Sequence, residues 1–255
     1  MNARLAAALF SCLLSLVTCA AAPVDDVITK ARSFLGREAA LEAVTSIQFT
    51  GTIELTERVP SEADPSVMVE RPLRLPVEII FEKPSQQRIT VRSEKIIETS
   101  ALDGYDGWQK RSDAQDATKW QLTLLDPQQV KRLRANTWEN LHFFRGIEKR
   151  GGTVAHQGTV TVDGITCDKL AFTHEENIIF YRFFDRATGR LVKTETEAGG
   201  EIREEGEVMV NGIRFPRRVI NRTPDGKMTS ITFEKIVLNE AQPDASFAVP
   251  ALTMR

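Results

Sequence analysis

The sequence predicts a mainly β protein of the α+β kind: one long, strongly curved antiparallel sheet with helices laid over its concave face. Three observations carry this expectation. Apolar side chains alternate at period two through most of the chain, as in "SIQFTGTIEL" and "LRLPVEIIF". Tight-turn signals, Asp163-Gly164, Asn211-Gly212 and Asp225-Gly226 among them, separate these runs at hairpin spacing. Only two regions switch to a helical period. Meandering strands with so few helices exclude a parallel nucleotide-binding sheet. A curved sheet of this size needs its concave apolar face covered, and the helices are the available cover.

Residues 1–21 read as a secretory signal. Arg4 is followed by an apolar run from Leu5 to Val17 and by small residues from Thr18 to Ala22. Leu16-Val17-Thr18-Cys19 is a weak lipoprotein box, because a threonine precedes the cysteine where a smaller residue is usual. The reading is an exported, soluble periplasmic protein, with lipid anchoring at Cys19 the lesser alternative. Residues 22–255 then form one domain, long enough to be held by its own core.

The first helical stripe is Val27, Ala31, Phe34 and Leu35, with Asp25 or Asp26 as N-cap and Gly36 as the break before "REAALEAV". In the next run Ile47, Phe49, Ile53 and Leu55 share a face, and Gly51 on that face marks a bend or bulge. "RVPSEADPSVMVERP" reads as a proline-broken loop. Leu73, Leu75, Val77, Ile79 and Phe81 alternate after it, then Ile89 and Val91. Two Asp-Gly pairs, at Asp103 and Asp106, turn the chain toward a strand opened by Trp108, whose ring either lines a cavity or fills a core. Trp120, Leu122 and Leu124 follow on one side of a short strand.

Asp126-Pro127 starts the second helix, aspartate as N-cap and proline in the first turn. Val130, Leu133, Thr137, Trp138, Leu141 and Phe144 make its apolar stripe, and Gly146 ends it. Lys131, Arg132, Glu139 and Arg145 fall on the opposite, solvated face. Everything beyond is hairpins.

Chemistry is sparse. Loss of Arg4 with the signal moves the formal net charge from −2 to −3, and no basic block invites nucleic acid or a membrane surface. Cys167 is alone once Cys12 and Cys19 leave, so no intrachain disulfide is expected, and its alternating context makes it a small core hydrophobe. His142, His156 and His174 are too scattered for a metal pair. There is no nucleophile elbow and no phosphate loop. Glu175-Glu176 and Glu204-Glu205 are neighbours on strands, so each pair splits across two faces and reads as solvated edge. No catalytic residue, metal or cofactor is expected.

In order, "ITKARSFLGREAALEAVTSIQFTGTIEL", "FEKPSQQRITV", "DGYDGW", the proline-started helix, "YRFFDRATGRLVKTE", "VNGIRFPRRV" and "DASFAVP" resemble the LolA/LolB-like superfamily, in its outer membrane lipoprotein-sorting branch. The resemblance spans nearly the whole mature chain. It implies an unclosed antiparallel β-barrel with helices packed in its open concave side, and between them an apolar cavity for acyl chains. The partners it implies are an acylated lipoprotein or lipid, with a membrane transporter or outer membrane receptor besides. Phe49, Ile79, Phe81, Val91, Trp108 and Leu122 are expected to face that interior together with Trp138 and Leu141. Lys83 stands where the family's carrier has a basic residue before proline that helps hold the lid. Here it is either such a latch or a snorkelling surface lysine. Two non-enzymatic functions stay open: a periplasmic carrier or receptor for acyl chains, and an envelope-stress regulatory or protein-interaction module of the same fold.

Overall fold

The computed structural model describes residues 23–251, so the signal segment and Cys19 lie outside the described residues. Thirteen strands form one antiparallel sheet in the order β6-β5-β4-β3-β2-β1-β13-β12-β11-β10-β9-β8-β7. The first six are β1 (Ser46–Pro60), β2 (Met68–Glu82), β3 (Gln86–Arg92), β4 (Ile96–Asp103), β5 (Asp106–Asp113) and β6 (Trp120–Leu124). They meander from the centre to one edge. Helix α3 (Pro127–Leu141) then carries the chain across, and seven more strands walk back from the other edge. These are β7 (Thr153–Val162), β8 (Ile165–Glu175), β9 (Ile178–Asp185), β10 (Leu191–Thr196), β11 (Glu201–Val210), β12 (Ile213–Arg222) and β13 (Met228–Leu238). β13 pairs with β1, while β6 and β7 do not pair with each other, so the curved sheet is not closed into a barrel.

The helices begin and end where local chemistry dictates. Asp126 caps α3 by accepting from Gln129 N at 2.9 Å, and the Gln129 side chain accepts from Asp126 N at 3.0 Å, a reciprocal capping box. Helix α1 (Val24–Leu35) starts at Pro23 without a side-chain cap, and Asp25 and Asp26 lie in its first turn, where the helix dipole favours negative charge. Gly36 separates it from α2 (Glu38–Glu42) because a Cβ there would sit 2.7 Å from the Gly212 carbonyl oxygen. At Gly51 the β1–β13 register shifts, and a side chain would collide with the β13 backbone.

Two expectations about strands need correction. The proline-rich stretch is mostly strand: β1 runs to Pro60 and β2 begins at Met68, leaving only residues 61–67 as loop. Pro72 and Pro76 are tolerated because β3 pairs with β2 only from Val77 onward, so their missing N–H groups face an unpaired edge. Only the first Asp-Gly pair turns the chain. Gly104 (φ 61°) and Tyr105 close the β4–β5 hairpin, with Arg134 of α3 donating to the Gly104 carbonyl at 2.7 Å. Gly107 lies inside β5, where a Cβ would sit 3.0 Å from Val130 and 3.1 Å from Leu125. It makes room for α3.

The apolar core has two main parts under the helices. One joins α1 and α3 to β8 and β9 through Val27, Ile28, Trp138, Leu170, Phe172 and Phe184. The other joins α2 and the end of α3 to the sheet centre through Leu41, Ile47, Phe49, Phe81, Leu141, Phe215 and Phe233. Phe49 anchors the second, with ring centroids 4.5 Å from Phe233, 6.1 Å from Phe215 and 6.3 Å from Phe81.

Candidate binding cavity

Between these two parts lies a cavity of about 410 Å³, within the usual range for small-molecule sites. The sheet contributes Phe49, Ile79, Phe81, Phe215, Val219, Ile231 and Phe233. Ala31, Phe34 and Leu35 of α1 and Asn136, Glu139 and Asn140 of α3 form the cover, completed by Phe143 and Phe144 just beyond α3. The lining is predominantly apolar, with a few convergent polar groups from β9 to β12.

Cross-strand register decides which of the expected residues reach it, since directly opposed residues share a face. Phe81 opposes Gln87, Gln87 opposes Leu102, and Leu102 opposes Gly107. Gln87 accepts from Asn136 and Thr137 of α3, and Gly107 abuts Val130, so this row faces the helices. Phe49, Ile79 and Phe81 line the cavity, and Val91 shares their face but packs beside it, opposite Val77.

Trp108 and Leu122 do not face the interior. Gly107 points inward, so Trp108 points out, and Leu122 and Leu124 share the outer face with it. Trp108 is nevertheless buried, because the C-terminal segment crosses that outer face and the indole donates to the Phe247 carbonyl at 2.8 Å. It fills an outer core. Trp138 and Leu141 are fully buried beneath the cover and do not line the cavity.

Two latches hold the cover down. Arg32 of α1, 3% exposed, donates to the carbonyls of His142 at 3.0 Å and Phe143 at 2.8 Å, and forks onto Glu38 at 2.6 and 2.9 Å. It satisfies carbonyls that the end of α3 leaves without helical partners, where Phe143 (φ 46°) and Phe144 (φ 72°) adopt a conformation costly for non-glycine residues. Arg145 also reaches Glu38 at 2.7 Å. The Glu38 carboxyl is held below its ordinary range chiefly by the Arg32 hydrogen bond. The second latch is Glu139, expected on the solvated face yet buried: it meets His174 Nε2 at 2.5 Å and pairs with Arg182 of β9. Arg182 in turn lies over the rings of Phe144 and Phe172, at 4.7 and 5.3 Å.

Lys83 makes neither bond. Its ammonium has no hydrogen-bond or ion-pair partner among the described residues, and burial together with nearby Arg32 lowers its pKa. The contact with the end of α3 is made by Arg32. Arg32 Nη1 donates to both carbonyls while Nε and Nη2 hold Glu38, a division of donors over three nitrogens that a lysine ammonium lacks. His142 stacks on Trp138 at 5.3 Å, and burial pushes its pKa down to about 4.

Glu204 also departs from expectation. It lines the cavity while keeping the exposure expected of it. Its alternation partners Ile202 and Val208 are apolar, a signal that places it on the inner face, and that adjacency to Glu205 obscured. The side chain stays exposed, and desolvation of the carboxyl by the surrounding wall raises its pKa against the opposing pull of Arg182.

No protein-family model matches the chain, and no curated protein matches it. Solved structures do. A LolA superfamily protein from Nitrosomonas europaea aligns with TM-score 0.57 at 12% identity, over 90% of this chain and 99% of its own. The fold is LolA-like. A DUF1329 family protein from Desulfovibrio piger (TM-score 0.54, 12% identity) covers 89% of this chain and 97% of its own. A domain ascribed to outer membrane lipoprotein sorting in Vibrio parahaemolyticus (TM-score 0.52, 9% identity) covers 88% and 96%. At such identities the LolA-like likeness concerns the fold alone. The cavity, its two latches and Glu204 are read from this chain's own residues.

Proposed function

We propose that the protein is a non-enzymatic periplasmic carrier or receptor that holds acyl chains of a lipoprotein or lipid in the cavity between α1, α3 and the sheet. The observation that carries this reading is the cavity itself: apolar, of acyl-chain scale, and roofed by helices fastened at two discrete points. Each methylene moved from water into it contributes about 0.8 kcal/mol. Release of the Arg32 and Glu139 contacts would let the cover lift. Nucleic acid has no place in this scheme, and a membrane transporter or outer membrane receptor would be the donor or acceptor of the cargo. Gentle purification followed by mass spectrometry of extracted ligand tests the proposal. Bound acyl lipid or lipoprotein is the expected result, and a protein that is empty and takes up no acylated ligand on incubation would overturn it.

One observation favours the second reading, a protein-interaction module. Beyond Glu54, β1 pairs only with β2, and the resulting two-stranded arm ends in exposed Val67, Met68 and Val69. Co-purification of a stable protein partner, lost when Met68 and Val69 become serine, would favour it.

A further inference from the structure

Three glutamates and three arginines line the cavity, and two of the glutamates are paired with arginines of the lining. Among its carboxylates, Glu139 is bonded by Arg182 and His174, and Glu207 is bonded by Arg214. The lining Arg190 stands by Asp185 of its own turn; the Thr188 hydroxyl chiefly, and Arg190 in addition, hold that carboxyl below its ordinary range. Glu204 has no hydrogen-bond or ion-pair partner among the described residues. An exposed carboxylate without a partner beside an apolar lining is available to a cation.

Its position relative to the apolar lining is equally specific. Glu204 opposes Val219 on β12, and Val219 opposes Ile231 on β13. The three form one inward row, and all three line the cavity. Adjacent strands lie about 4.8 Å apart, so a chain starting at Glu204 passes over Val219 and Ile231 toward Ile53 of β1, the next residue of the row. Thr194 and Asn221 line the same wall and offer further acceptors. An ammonium carries three donors and no acceptor, which suits the Glu204 carboxylate, with the Thr194 hydroxyl and Asn221 amide oxygen on the neighbouring inward row through Ile202.

We propose that the cavity selects amphiphiles bearing a primary ammonium beside the acyl chain, held by the Glu204 carboxylate while the chain lies across Val219 and Ile231. This rests on the acyl-binding reading above and adds the head group to it.

The test is displacement of an environment-sensitive apolar probe by dodecylamine, dodecanol and lauric acid, all below their micelle concentrations at pH 7.5. Dodecylamine is expected to displace the probe at least about ten-fold more tightly than either other head, the scale of one charge-assisted hydrogen bond. Glu204→Gln should remove that preference, whereas Glu205→Gln, on the opposite face, should keep it. Lauric acid or dodecanol binding as tightly as dodecylamine to the wild type overturns the proposal without recourse to any variant. So does a preference that survives Glu204→Gln. If no probe or amphiphile binds at all, the acyl-binding reading fails, and this one with it. Two further arms separate the sources of the amine: an ethanolamine lysolipid and a lipopeptide with a free terminal amine, each against its N-acetylated form. A loss on acetylation in either arm supports the proposal and names the source, and no loss in both overturns it.

Discussion

Single side chains decide how firmly the cavity is covered. Glu139 is buried between His174 and Arg182, so its removal leaves a buried guanidinium without its counter-charge. Glu139→Ala should destabilise the protein by about 3–5 kcal/mol, the usual loss when one partner of a buried pair is deleted. Urea unfolding gives the number, and a loss below about 1 kcal/mol would show that the pair is not a latch. His142 supplies a pH dependence. Burial lowers its pKa from 6.5 to about 4, so in this window the unfolded chain takes a proton that the folded protein refuses. Its contribution is complete above pH 6.5 and is lost as pH falls toward 4. Stability measured across that window should fall less steeply in His142→Phe, where a ring still stacks on Trp138. An unchanged slope would contradict the assignment. At this scale the sequence was least legible. Helical spacing puts Glu139 on the polar face of α3, and nothing local reveals that β8 and β9 bring His174 and Arg182 to it.

At the scale of elements, α3 is the part of the cover that both latches fasten. Its start was readable, since Asp126, Pro127 and Gln129 form a local cap that depends on no distant residue. Its fastening was not, because Arg32 acts across 110 residues of sequence. Arg32→Met keeps the apolar stem and deletes the donors to His142 and Phe143. The amides closing the last turn of α3 should then exchange hydrogen about ten-fold faster or more, while those of the central strands keep their protection. Unaltered exchange in that turn would mean that packing alone holds the helix end. The β4–β5 hairpin shows the same division. Gly104 announces a turn from its own chemistry, whereas Gly107 serves the approach of Val130 and so looks like a turn signal from sequence alone.

For the whole molecule, the turns and the period-two runs made the long antiparallel sheet legible. They also brought Phe49, Ile79 and Phe81 onto one face. Alternation separates two faces of each strand without saying which is inner, and this is why Trp108 and Leu122 were expected on the wrong side. Only the contact of Gly107 with α3, and the return of Phe247 over the outer face, resolves it. The pairing of β13 with β1 is likewise a long-range choice that sets the curvature and hence the cavity. The central claim, that this cavity takes an acyl chain, is tested most directly by titrating a fluorescent fatty-acyl probe into the wild type and into Ile202→Trp. Ile202 lines the cavity without being fully buried, so the larger ring can occupy the space meant for cargo. The wild type should bind saturably at a roughly micromolar Kd, and Ile202→Trp, with an unchanged circular dichroism spectrum, should bind at least about ten-fold more weakly. Equal binding by the two proteins, or no saturable binding by either, would contradict the account.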